Sequence, residues 1–101
     1  MVTAQRKITW DKQAVHYFRK AVKYIREGSP QNADKVKKEI LEKISELSKH
    51  PEIHSPDKYK LNNPGNYRAF ELHRFRVAYL LKDDEIIIAR IRNTNQQPLD
   101  Y

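Results

Sequence analysis

The stretch YRAFELHRFRVAYLLKDDEIIIARIRN, Tyr67 to Asn93, decides the fold. It contains three runs of strand-forming residues separated by two short breaks. Tyr67–Leu72 and Phe75–Leu81 flank the dipeptide His73-Arg74, the spacing of a tight hairpin, and Asp83-Asp84 turns the chain into a third run, Glu85–Asn93. The β-branched density of that third run predicts a central strand covered by its neighbours. Period-2 counting along the second run puts Phe75, Val77, Tyr79 and Leu81 on one face, and Arg76, Ala78 and Leu80 on the other. Arg76 therefore leaves the sheet on the side away from Val77.

Upstream the period changes. Arg6 to Trp10 alternates and reads as a short strand, and Asp11 follows it as a helix N-cap. Ala14, Phe18, Ala21, Val22 and Ile25 then line one helical face, with Arg19, Lys20, Lys23 and Arg26 mostly off it. Gly28 stops this helix, and Ser29-Pro30 supplies an N-cap and a first-turn proline for another. Ala33, Val36, Ile40, Ile44 and Leu47 carry the second apolar face as far as His50-Pro51. Residues 51 to 66, with Pro51, Pro56, Pro64 and Gly65, read as a surface loop, and Thr94 to Tyr101 as a polar tail. The order β-α-α-β-β-β defines an α+β domain. It predicts a helical hairpin packed on one face of a mostly antiparallel four-stranded sheet, the other face open to a partner. No repeat or linker divides residues 1–101, so a single domain is expected.

Composition limits the chemistry. The chain has 101 residues, 39% of them hydrophobic, enough for one modest core and too few for a large enclosed pocket. No Cys is present, which excludes thiolate nucleophiles, disulfides and Cys-ligated metals. The longest apolar run, Val77 to Leu81, is far short of a bilayer span, and no apolar signal segment follows the first residues, so the cytoplasm is expected. Lys and Arg number 20 against 13 Asp and Glu, a net charge of +7. Residues 1 to 50 hold 12 Lys and Arg against 6 Asp and Glu. A second concentration, Lys58, Lys60, Arg68, Arg74 and Arg76 against Glu71, falls in residues 58 to 76. Such a balance steers the domain toward polyanions, either nucleic acid or an acidic protein.

His16, His50, His54 and His73 have no metal-ligand spacing, the two glycines form no phosphate loop, and no nucleophile elbow occurs. No metal or cofactor is expected. What remains is a basic and aromatic set, Lys58, Tyr59, Lys60, Tyr67, Arg68, His73, Arg74, Arg76, Asn93 and Tyr101, suited to unpaired nucleic acid. A metal-free ribonuclease needs a base for the 2′-hydroxyl, cations for the developing phosphate charge and an acid for the leaving oxygen. Arg68 and Arg76 suit the second role. Tyr101 or a lysine suits proton transfer only with a pKa near neutrality. Structural roles compete at each position: Arg74 as a turn residue, Arg68 as a cross-strand partner of Glu71 or of the acidic turn, Tyr67 and Tyr79 as half-buried sheet residues, Trp10 as core.

Ile8-Thr9-Trp10, Ala14, Tyr24-Ile25, Ser29-Pro30, Ala33, Val36, Ile40, Ile44, Leu47 and Pro51 resemble the first half of the RelE/ParE superfamily of bacterial toxins. Arg68, Phe75-Arg76-Val77-Ala78-Tyr79, the Ile-rich run 86 to 91 and Pro98-Leu99-Asp100-Tyr101 resemble its second half, so the similarity covers nearly the whole chain. The resemblance implies the toxin of a type II toxin–antitoxin (plasmid stabilisation) pair, which arrests growth when free. Its cognate antitoxin would wrap it with a helix or added strand in a hetero-oligomer, and an acidic antitoxin segment would suit the charge.

RelE-like members cleave mRNA on the ribosome, whereas ParE-like members poison DNA gyrase. The long helical hairpin with Ser29-Pro30 is more similar to ParE. Only Arg76 and Tyr101 match RelE-like catalytic positions. Where ribonuclease members often carry His or Arg, this chain has Asn93, which is neither acid nor base, and the RelE lysine pair falls near Tyr67 and Ala69. Lys58, Lys60, Arg68, Arg74 and Asn93 are then expected to contact nucleic acid or target. A non-toxic basic module that binds nucleic acid without catalysis is the alternative outside the toxin class.

Overall fold

The structure, a computed structural model, describes residues 5–96 and 100–101; Pro98 and Leu99, quoted in the resemblance, and the first four residues lie outside it. The elements are β1 (Lys7–Trp10), α1 (Lys12–Gly28), α2 (Pro30–Glu46), β2 (Tyr67–Leu72), β3 (Phe75–Leu81) and β4 (Glu85–Asn93), in the expected β-α-α-β-β-β order. Asp11 caps α1 by accepting from the Gln13 amide at 2.9 Å. Ser29 serves both helices. Its amide bonds the Ile25 carbonyl to close α1, while its hydroxyl accepts from the Asn32 amide at 3.2 Å to open α2. The second helix ends at Glu46, a turn earlier than the apolar spacing suggests, because the Leu47 amide tightens onto Ile44 and residues 47–49 continue as turns.

The sheet order is β1-β4-β3-β2. Pairing is antiparallel for β2 with β3 and β3 with β4, and parallel for β1 with β4, so the sheet is mixed. The Ile-rich strand β4 is internal, as its composition predicts. Phe18, Val22, Val36, Ile40, Ile44 and Leu47 from the hairpin meet Phe70, Phe75, Val77, Tyr79, Ile86, Ile88 and Ile91 from one face of the sheet. Trp10 packs at the rim of this core, its ring 5.8 Å from that of Phe18.

One irregularity in β4 matters for the other face. Ala78 pairs with Arg90 but Tyr79 with Ile88, leaving Ala89 as the extra residue of a bulge. Ile86 and Ile88 face the helices, and the next residue to do so is Ile91, after a step of three. Without the bulge, alternation would carry Arg90 and Arg92 into the core. With it, both emerge on the open face beside Arg76.

The β2–β3 connection is the tight turn read from the sequence, with Leu72 paired to Phe75. His73 and Arg74 both have left-handed backbones, φ 53° and 65°, where Asn-Gly is the usual solution. A contact of His73 with Glu39 at 3.2 Å and a bond from the Thr94 amide to the Arg74 carbonyl at 2.7 Å hold it. Arg74 is exposed, so Arg74→Gly should relieve the Cβ strain and raise stability by about 1 kcal/mol; a thermal melt shifted upward by a few degrees is the expected reading.

Candidate functional site

The open face is built on small residues. Ala69 and Ala78 are directly paired across β2 and β3, and the space above them takes the loop and tail. Residues 55–57 run beside the outer edge of β2: the Ala69 amide bonds the Ser55 carbonyl at 3.2 Å, and the Asp57 amide the Tyr67 carbonyl at 2.8 Å. Asn63 holds the end of the loop, donating to the Tyr67 carbonyl at 2.8 Å and accepting from the Gly65 and Tyr67 amides. The tail then joins the loop, with the Tyr101 amide on the Tyr59 carbonyl at 2.9 Å and the Leu61 amide on the Tyr101 carbonyl at 2.6 Å.

These connections bury Asp57, the one charged residue in the buried set of the described residues. Its Oδ1 accepts from Arg76 Nη2 at 2.8 Å and from the Tyr59 amide at 3.1 Å, and its Oδ2 accepts from the Tyr101 hydroxyl at 2.5 Å. Arg76 gives its other fork nitrogen to Glu71 at 2.8 Å and lies 4.8 Å from the centre of the Tyr59 ring. Lys60 sits near Tyr67 and Tyr101 at 4.9 and 5.4 Å, and the Arg90 guanidinium lies 4.6 Å from the Tyr101 ring. Beside this latch lies a cleft of about 180 Å³ walled in part by Arg76, Arg90, Arg92, Asn93, Gln96 and Tyr101.

The electrostatics follow from the geometry. Burial opposes charge on Asp57, but the donors Tyr101, Arg76 and the Tyr59 amide outweigh it and hold the carboxyl below its ordinary pKa. Burial likewise disfavours charge on Arg76, and hydrogen bonds to Asp57 and Glu71 override it, so the guanidinium stays ionised. The Tyr101 hydroxyl is driven well above its usual range, first by burial and then by the carboxylate that accepts its proton. Arg76 is thus neutralised by two carboxylates, and Tyr101 is a fixed donor.

The structure gathers Arg76, Tyr101, Asn93 and Lys60 on this face, with the exposed Lys58 on the adjoining loop, 5.2 Å from the Tyr59 ring. Arg68 is elsewhere. It shares parity with the core residue Phe70 and donates to the His54 carbonyl at 2.6 Å, so it pairs with neither Glu71 nor the acidic turn. Arg74 lies in the β2–β3 turn, facing the groove of Tyr17 and Tyr24. Tyr79 is fully buried, its hydroxyl donating to the Pro51 carbonyl at 3.1 Å and its pKa pushed up to about 12 mainly by burial. Asp57, Arg90 and Arg92 are additions to the sequence-derived set. A charge window opening at Lys58 starts one residue past Asp57, and the two arginines reach the face only through the bulge.

A basic α+β domain with a helical hairpin on one face of a mixed sheet, and an arginine of β3 held on the other, has the architecture of the RelE/ParE superfamily toxins. Comparison with protein families matches residues 8–98 to the ParE toxin of the type II toxin–antitoxin system parDE, and the chain belongs to that family. It is accordingly the toxin of a type II module, with a cognate antitoxin as partner. No curated protein matches the sequence. Among the described residues no helix is long and apolar enough to cross a membrane.

Proposed function

We propose that the chain, when free of its antitoxin, arrests growth in the cytoplasm by poisoning DNA gyrase, as a binding toxin without chemistry of its own. The observation that carries this reading is the state of Arg76 and Tyr101. A ribonuclease without a metal needs an available cation and a group able to exchange protons near neutral pH. Here the cation is neutralised by Asp57 and Glu71, and the phenol, its pKa raised away from neutrality, keeps its proton and donates it in a hydrogen bond to Asp57. Asn93 cannot supply the missing acid or base. On this reading Arg76 and Tyr101 shape the open face, and Lys58, Lys60 and Asn93 contact the target at its rim. Arg68 and Arg74 contact it only if the target reaches beyond that face.

Among the described residues the outer side of β1 is the sheet edge left for the added strand of an antitoxin, because residues 55–57 already lie along β2. An acidic antitoxin segment suits the charge of +7.

One observation favours a RelE-like ribonuclease instead. Arg92 lines the cleft with no ion pair among the described residues, directly across the strands from Arg76. In that case Arg92 would face the scissile phosphate, with Arg76 and Tyr101 beside it. Purified gyrase separates the two readings: added protein should raise trapped gyrase–DNA cleavage complexes and inhibit supercoiling, and unaffected supercoiling would remove the gyrase reading.

A further inference from the structure

We propose that the outer groove of the α1–α2 hairpin, on the side of the molecule away from the open sheet face, docks the phosphate backbone of duplex DNA. At 100° per residue, Lys12, Arg19, Lys23 and Arg26 fall on one flank of α1, a row about 21 Å long at 1.5 Å per residue. Lys37 approaches from α2 to complete a shallow groove of about 230 Å³, lined by Phe18, Arg19, Val22, Lys23, Arg26 and Lys37. All five cations are exposed. Among the described residues Lys12, Arg19, Lys23 and Lys37 form no ion pair, and Arg26 is bound to Asp34 at 2.7 Å.

The chemistry of the groove selects among polyanions. An acidic protein segment needs an apolar centre to its interface. Here Phe18 and Val22, 6% and 7% exposed, form a closed floor, and of the exposed large hydrophobics only Leu41, at 38%, falls on this flank by helical count. Single-stranded RNA is held by aromatic stacking, and the exposed Tyr24 lies on the opposite flank of α1. Cations in a row over a floor of Phe18 and Val22, with no exposed aromatic ring on this flank among the described residues, suit a regular phosphate ladder, bound without sequence readout. The surface is separate from the latch of Asp57, Arg76 and Tyr101. The inference is also independent of the gyrase reading, since DNA alone is the probe.

Fluorescence anisotropy on the full chain tests it, with a mixed-sequence DNA duplex of about 20 bp, oligo-uridine RNA and a polyglutamate peptide, each at several salt concentrations. The duplex should bind most tightly, with log K falling against log salt at a slope near −3 to −4 for four or so phosphates. Arg19→Glu with Lys23→Glu should weaken duplex binding roughly tenfold or more, whereas the charge-matched pair Lys49→Glu with Lys82→Glu should weaken it far less. Asp34→Asn releases Arg26 and should tighten binding and steepen the slope by about one phosphate. Thermal melts establish that the variants, all at exposed positions, are folded. Equal loss in both double variants, an unchanged affinity for Asp34→Asn, tighter binding of RNA or polyglutamate, or no duplex binding at about 50 mM salt would each overturn the proposal.

Discussion

Asp57→Ala is expected to lower the free energy of unfolding by about 3 kcal/mol, seen as a fall in the urea midpoint with little change in slope. The side chain is 1% exposed and accepts three hydrogen bonds, from Arg76, the Tyr59 amide and Tyr101. Removing it strands the Tyr101 hydroxyl and one fork nitrogen of Arg76, and separates tail, loop and sheet at the point where they meet. Glu71 remains on Arg76, which keeps the loss at the lower end of the range for breaking a buried pair. The same group sets a pH dependence. Its folded pKa is depressed, so its stabilisation is complete above the ordinary carboxylate value and is lost as pH falls through the folded value. Tyr101 works in the opposite direction. Its folded pKa is raised, so that contribution is present below the ordinary phenol value and is lost as pH rises toward the folded one. Asp57→Asn should flatten the acid limb of stability against pH; an unchanged acid limb would show that the carboxylate does not hold the latch.

Ile88→Ala should cost about 3 to 4 kcal/mol by the same measurement. The side chain is fully buried, on an internal strand, in register with Trp10 on one side and Tyr79 on the other, and belongs to the core cluster beneath the hairpin. Close packing between two strands within the core cluster leaves little freedom for the cavity to collapse. For a domain whose total stability is on the order of 5–15 kcal/mol, either substitution removes a large fraction. A loss below about 1 kcal/mol at Ile88 would place the sheet register in error.

What the sequence disclosed depended on how local the cause was. Ser29-Pro30, His73-Arg74 and the run Ile86-Ile87-Ile88 each carry their conformation within a few residues, and the helices, the hairpin and the central strand were legible from them. The parity of Arg76 was legible for the same reason, because β3 keeps strict alternation from Phe75 to Tyr79. The parallel pairing of β1 with β4 joins residues far apart in the chain, and no local pattern fixes it. The emergence of Arg90 and Arg92 depends on the bulge at Ala89, which shifts the period within a strand that otherwise reads as continuous. Asp57 was hidden most deeply. An aspartate between prolines in a polar loop reads as solvated, and only the return of Tyr101 and the position of Arg76 make it a buried acceptor. Arg68 shows the converse: its charge suggested the open face, while its shared parity with Phe70 put it on the other.

The most direct measurement is mapping of mRNA 5′ ends across the transcriptome, with growth recorded, after this chain alone is induced in a bacterial host. A binding toxin whose Arg76 and Tyr101 are tied to Asp57 should arrest growth without producing new ends. New 5′ ends inside translated codons would contradict it and make the cleft of Arg76, Arg92 and Tyr101 a ribonuclease site.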